Sequence, residues 1–185
     1  PFLFHYTGFY FGKAKSANYF TPSEYIQMLG LQNGNRVYKW VRRAYITGHE
    51  SLDKHKAFIS AANGASGTLT SDGAVRMIST PLTGAPGVGA TQTFLTVGSF
   101  DTEGEAAAAL KYIRSKFARA LLGVLKVTQH NTSEKWKYVP LQNFTPTSDI
   151  DWEKSIPEID RQLYKKYGLD ETEIAFIESH VKEME

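Results

Sequence analysis

One segment, FDTEGEAAAALKYIRSKFARALLGVLK (residues 100–126), constrains the fold of this chain more than any other. Its apolar residues recur every three or four positions, at Ala106, Leu110, Ile113, Phe117, Leu121 and Val124. At about 100° per residue they fall within an arc of about 80° on a helix. Asp101 or Thr102 can cap the amino end, and Glu103 and Glu105 suit the positive end of the helix dipole. The segment therefore predicts one long amphipathic helix, from residue 102 to residue 126, that packs its apolar stripe on a sheet.

Several shorter segments before this helix have the composition of strands. NGNRVYKWVRRAYITG places a turn at Asn33-Gly34 ahead of β-branched and aromatic residues, and HKAFISAANG and TQTFLTVGSF are further β-rich runs. A brief strand is also predicted near residues 75–78. TPSEYIQMLGL (residues 21–31) has an N-cap candidate in Thr21 and Pro22 at its start, so it predicts a short helix. The fold class expected is α+β, with a mixed or antiparallel sheet packed by the long amphipathic helix.

The last forty residues predict a C-terminal helical hairpin. Gly168 is suited to a left-handed helix stop, and Asp170 with Glu173 forms a capping pair for a second helix. A helix-turn-helix interpretation is disfavoured because five glutamates on the second helix would repel phosphates. We therefore divide the chain into a body, residues 1–145, and an acidic helical tail, residues 146–185, that packs on it.

Charge is distributed unevenly between these two parts. The body carries 16 Lys and Arg against 8 Asp and Glu, a net charge of +8, whereas the tail carries 5 against 11, a net charge of −6. A strongly positive body attracts polyanions, of which nucleic acid is the commonest large one in a cell. We expect the cations to gather on one surface fitted to a double helix, with the acidic tail away from it.

Composition gives expectations about the setting of the chain. No apolar run approaches the roughly 18 residues that span a bilayer, and there is no cysteine. We expect a soluble, unsecreted, cytoplasmic protein that has no membrane partner. Because the sequence starts at Pro1 without a methionine, it is expected to be a processed protein or a piece of a longer polypeptide.

The common catalytic motifs are absent. No lysine follows an acidic residue by two positions, as a common class of metal-dependent nuclease requires, and no H-E-x-x-H zinc motif is present. GFYFGKA lacks the spacing of a phosphate loop, and neither a G-x-S-x-G elbow nor an N-P-P-Y methyltransferase motif occurs. We therefore predict a binding domain with no catalytic residue, no metal ligand and no cofactor of its own.

Residues suited to DNA are dispersed along the body. Lys and Arg neutralise phosphates, and Arg, Gln, Asn and His also read base edges. RVYKWVRRAY interleaves such cations with Tyr38, Trp40 and Tyr45. The candidate DNA-binding residues are Arg36, Lys39, Arg42, Arg43, Lys54, Lys56, Lys116, Arg119, Lys126, Gln129, His130, Asn131 and Lys135.

Three stretches resemble a known family when they are read in order. They are DKHKAFISAANG, then TPLTGAPGVGATQTFLTVGSFDTEGEAAAALKYIRSKFARALLGVLKVTQHNTSEKWKYVPLQNF, then LYKKYGLDETEIAFIESHVKEM. Over about residues 50–185 the chain resembles the C-terminal target recognition region of type II (IIG-like) restriction-modification adenine-specific DNA methyltransferases. The resemblance implies a sequence-specific DNA-binding domain, inactive alone, that positions DNA for N6-adenine methylation or cleavage by upstream domains. It also implies double-stranded DNA and the upstream methyltransferase domain as partners, with S-adenosylmethionine bound by the parent enzyme, which in some members is an endonuclease as well.

Two other functional classes remain open on the sequence. One is a metal-dependent nuclease domain that uses Glu50, Asp53 and His55. The other is a protein-binding module of a larger complex. Metal-dependent cleavage by the isolated chain would favour the first, and tight binding of a partner protein without affinity for duplex DNA would favour the second.

Overall fold

A computed structural model describes residues 4–5, 24–46, 50–62, 69, 73–126, 128 and 130–184. Its strands are β1 (Phe4–His5), β2 (Tyr25–Gln32), β3 (Asn35–Arg42), β4 (His55–Ser60), β5 (Leu82–Gly84), β6 (Val88–Ala90) and β7 (Phe94–Phe100). Its α-helices are α1 (Glu103–Arg114), α2 (Lys116–Leu125), α3 (Ile156–Tyr167) and α4 (Glu171–His180). Short 3-10 turns lie at Arg43–Tyr45, Glu50–Asp53 and Ser133–Trp136.

The strands form two small sheets. One is antiparallel, in the order β1-β7-β4-β5, and the other has the order β3-β2-β6 with β2 antiparallel to β3 and parallel to β6. The predicted α+β class is confirmed. Asn33 and Gly34 have φ of 52° and 78°, which is the left-handed backbone that a two-residue hairpin turn between β2 and β3 requires.

The predicted helix at residues 21–31 is wrong from Tyr25 onward, where the structure has strand β2. Pairing on both edges, with β3 and β6, satisfies the backbone of β2 and buries Ile26, Met28 and Leu29. These tertiary contacts override the local helix signals. Near Val75, where a brief strand was predicted, there is a single isolated bridge to Val181.

The long helix is divided in two at Ser115, whose ψ of 147° is not helical. Thr102 and Glu105 form a capping box at the start of α1, and the Ser115 hydroxyl accepts a hydrogen bond from the backbone N–H of Ala118, in the first turn of α2. Each segment therefore begins with its own cap. Helix α1 packs against β4 and β7 of the antiparallel sheet, whereas α2 packs against α1, α3 and α4. Both helices contribute to one core that contains Ala109, Ile113, Phe117 and Leu122.

The tail contributes directly to this core. Trp152, Ile159, Leu163, Ile177 and Val181 are buried in the same cluster as the helices of the body. Gly168 ends α3 in the left-handed conformation, and Asp170 and Glu173 form a capping box for α4, as predicted. Among the helices of the described ranges, none combines the length and the apolar character needed to cross a bilayer.

Candidate nucleic-acid interface

One face of strand β3 carries two aromatic residues flanked by two arginines. Arg36, Tyr38, Trp40 and Arg42 occupy every second position, so their side chains lie on one face of the strand. Arg36 and Arg42 are exposed, Trp40 is half-buried, and Tyr38 retains 47% of its surface exposed. In the three-stranded sheet β3 is an edge strand. We call these four residues the β3 face.

Both arginines of the β3 face are held in position. Nη2 of Arg36 donates to the carbonyl oxygen of Thr80 at 2.7 Å, and its guanidinium lies 5.9 Å from the ring centre of Phe94. Nε of Arg42 donates to the Tyr25 hydroxyl at 3.2 Å, with its guanidinium 6.0 Å from the centre of the same ring. The hydrogen bond to Tyr25 is the main reason why the pKa of Arg42 is raised. These anchors reduce the side-chain freedom that binding would otherwise remove.

Lys39 lies on the opposite side of β3. It pairs in register with Met28, and its neighbours on that face are Val37 and Val41. The lysine is half-buried. The alternation of the strand thus separates Lys39 from Arg36 and Arg42, although the three are close in sequence.

Arg43 and Lys54 are engaged in exposed ion pairs. Nη1 of Arg43 donates to Oδ1 of Asp53 at 2.9 Å, with a second contact between the same groups, and Lys54 contacts Asp101. The hydrogen bond from Arg43 lowers the pKa of the Asp53 carboxyl. Such pairs contribute little to stability, so a phosphate can compete for either cation.

A cleft of about 680 Å³ lies beside the Arg42 end of the β3 face. Its lining residues are Glu24, Tyr25, Arg42, Arg43, Ala44, Ile46 and Leu52. The apolar residues form part of the wall, and Arg42 with Tyr25 belongs to both the cleft and the strand surface. The β3 face therefore continues into a concave region.

Lys56 is in the interior, at 1% exposure. Its ammonium donates to the carbonyl oxygens of Leu52 at 2.9 Å and Val88 at 2.8 Å, and burial lowers its pKa to about 8. The side chain thus connects strand β4 with the Glu50–Asp53 turn and strand β6. A phosphate cannot reach this ammonium, so Lys56, a predicted DNA contact, is not part of the interface.

Two cations of α2, Lys116 and Arg119, contact the tail. Lys116 forms an ion pair with Glu178 on α4. Arg119 is fully buried and donates to the carbonyl oxygens of Lys182 at 2.6 Å and Arg114 at 2.9 Å, and burial lowers its pKa to about 10. Lys126 is only 1% exposed, and burial lowers its pKa as well. The expectation that the acidic tail keeps away from the cations of the body is therefore wrong for Lys116 and Arg119.

The loop after α2 is bound to the antiparallel sheet. Asn131 is buried, its side-chain amide donates to the carbonyl oxygen of Ser60 at 2.9 Å, and its backbone N–H donates to that of Ala61 at 2.7 Å. His130 stays exposed, and the ammonium of Lys135 donates to the carbonyl oxygen of Leu125 at 3.3 Å. Gln129 lies outside the described residues. Among the described candidates of this loop, Asn131 is buried, Lys135 is half-buried and His130 is exposed.

Tyr25 is the residue of the interface that sequence reasoning missed. The sequence predicts a helix over residues 21–31, and a helix would not place Tyr25 opposite Arg42, where the β2–β3 pairing puts it. Tyr45, an aromatic residue of the RVYKWVRRAY segment, is 67% exposed and helps to raise the pKa of Arg42. A strand over residues 25–32, joined to β3 by the Asn33-Gly34 turn, is the pattern that places Tyr25 beside Arg42.

Glu50, Asp53 and His55 are not brought together as a group that could hold a metal ion. Asp53 is bound by Arg43, as described above. Across the part of the chain that the structure describes, no three His, Asp or Glu side chains lie close enough together to hold a metal ion.

No protein-family model, curated protein or solved structure matches the chain. The geometry of the β3 face, together with the sequence resemblance, is the basis on which a function can be proposed.

Proposed function

We propose that the chain is a sequence-specific DNA-binding domain, the target recognition region of a type II restriction-modification enzyme. The observation that carries the proposal is the β3 face, where two anchored arginines flank two aromatic residues on an exposed edge strand. The finer assignment to an adenine-specific methyltransferase rests on the resemblance of residues 50–185. In that assignment, upstream domains of the same polypeptide bind S-adenosylmethionine and carry out methylation or cleavage, and this domain holds the duplex.

Arginine suits this role because its planar guanidinium can bind a phosphate through two parallel hydrogen bonds and can also read guanine in the major groove. Arg36 and Arg42 are six residues apart, which is about 20 Å along a strand. They can therefore contact separate phosphates. Arg43, Lys54 and the exposed His130 are further candidates for the periphery of the contact.

The charge contribution can be tested by titrating duplex DNA at several salt concentrations. We expect binding at low salt, and a logarithmic salt slope that falls by about 2 when Arg36 and Arg42 are both replaced by Ala, since each phosphate contact contributes about 0.9. A double replacement of Arg161 and Lys165, two exposed cations of α3, is the matched control and should leave the slope nearly unchanged. The proposal fails if duplex DNA does not bind at low salt, or if the control lowers the slope as much as the arginine pair.

Sequence specificity is tested separately, by selection from randomised duplexes with the wild-type chain. We expect the selected duplexes to share one motif. Recovery of unrelated sequences would leave a DNA-binding domain but would remove target recognition from the proposal.

A further inference from the structure

The spacing of side chains on the β3 face differs from the spacing of bases in a duplex. Residues on one face of a strand follow each other at about 6.7 Å, whereas stacked nucleotides rise by about 3.4 Å. Neighbouring side chains of the face therefore cannot meet neighbouring stacked bases one to one. A strand of DNA drawn out to about twice its stacked rise matches this repeat, and the roughly 20 Å from Arg36 to Arg42 then corresponds to about three nucleotides.

The aromatic residues also suit unpaired bases better than a closed duplex. Tyr38 exposes 47% of its surface in the middle of the face, and Tyr45 exposes 67% beside Arg42. Phosphates are neutralised by the arginines and do not require these rings. In a duplex both faces of each base are covered by its neighbours, whereas an unstacked base offers a free face on which an aromatic ring can stack.

From these observations we infer that the β3 face binds a short, locally unpaired segment of the DNA. A base stacks on Tyr38, Arg36 and Arg42 hold the flanking phosphates, and the cleft lined by Tyr25, Ile46 and Leu52 receives the next base. This inference rests on the proposed DNA-binding function and specifies the state of the DNA at this surface. The cleft is large enough for a nucleobase, and its apolar wall favours burial of a planar ring.

The test compares three labelled DNAs with the full 185-residue chain: a paired duplex, the same duplex with a central bubble of about four mismatches, and one single strand. Fluorescence anisotropy gives the affinity for each. We expect the bubble to bind at least about fivefold more tightly than the paired duplex, because one base stacked on one ring accounts for about that factor or more. Tyr38→Ala should abolish the preference while it changes the affinity for paired duplex by less than about twofold, and Tyr38→Phe should retain it.

Tyr138→Ala is the matched control, because Tyr138 is similarly exposed and lies beside a lysine, Lys137, on another segment. It should leave the preference for the bubble unchanged. Equal affinity for bubble and duplex, or a preference that survives Tyr38→Ala, overturns the inference and leaves the proposed function standing. Failure to bind any of the three DNAs overturns both. Preference for the single strand over the bubble, lost in Tyr38→Ala, supports the stacking and places the free strand as the ligand of this face.

Discussion

Replacing Asp160 by Asn is predicted to change how the stability of this protein depends on pH. Asp160 lies on α3, is 2% exposed, and accepts hydrogen bonds from the backbone N–H groups of Lys116 at 3.0 Å and Phe117 at 2.9 Å. These are first-turn donors of α2 that no residue of that helix can satisfy. A tail carboxyl thus caps a helix of the body, and its burial raises the pKa of Asp160 to about 6 even though the two N–H donors lower it.

The size of the effect follows from proton linkage. Asp160 has a pKa of 3.8 when unperturbed and about 6 in the fold, so between these values the folded state binds more protons than the unfolded state. The contribution of this carboxyl to stability therefore decreases as the pH rises through that window. At about 1.4 kcal/mol per pKa unit, ionised Asp160 lowers the free energy of unfolding by about 3 kcal/mol relative to the protonated form.

The amide introduced by Asp160→Asn keeps one oxygen as an acceptor but carries no charge. The variant should therefore not lose stability as wild-type Asp160 does when it ionises. Relative to wild type, its free energy of unfolding should rise by about 3 kcal/mol between about pH 4 and about pH 7. Urea unfolding followed by circular dichroism at several pH values measures the difference. Asp149→Asn is the control: the Lys166 ammonium at 2.8 Å lowers the pKa of Asp149 below its ordinary 3.8, so the difference between wild type and this variant should stay nearly constant between about pH 4 and about pH 7. A difference between wild type and Asp160→Asn that stays constant with pH would refute the reasoning.

Two further predictions concern residues around the candidate interface. Burial lowers the pKa of Lys56 to about 8, so the folded state binds fewer protons than the unfolded state between about pH 8 and about pH 10.5, and wild type should gain up to about 3 kcal/mol over Lys56→Met across that window. A difference in unfolding free energy between wild type and Lys56→Met that stays constant from about pH 8 to about pH 10.5 would contradict this prediction. Gly34→Ala should lower the free energy of unfolding, measured by thermal melts, by about 1–2 kcal/mol. The added Cβ would have no atom within 4 Å, so the cost comes from the φ of 78°, which is unfavourable for alanine. Asn33→Gly is the comparison, with little or no loss expected at a position already in the left-handed region.

The helix ends and the hairpin turn were predictable because their causes are local. The Thr102 cap, the Gly168 stop, the Asp170 cap and the Asn33-Gly34 turn each depend on residues within about four positions in the chain. The interleaving of Arg36, Tyr38, Trp40 and Arg42 was also visible in the sequence, and the period of a strand places the four on one face once β3 is known to be a strand.

Whether a cation is exposed to a binding partner, by contrast, is decided by tertiary contacts. In the sequence, Arg119, Lys56 and Arg42 each count as one positive charge. Arg119 and Lys56, however, donate to carbonyl oxygens of residues up to 63 positions away in the chain. Tyr25 became part of the interface only because β2 pairs with β3 rather than forming a helix. Residue type and spacing determine charge, caps and turns, whereas burial depends on which distant segments the core brings together, and burial decides which charges remain exposed to a partner.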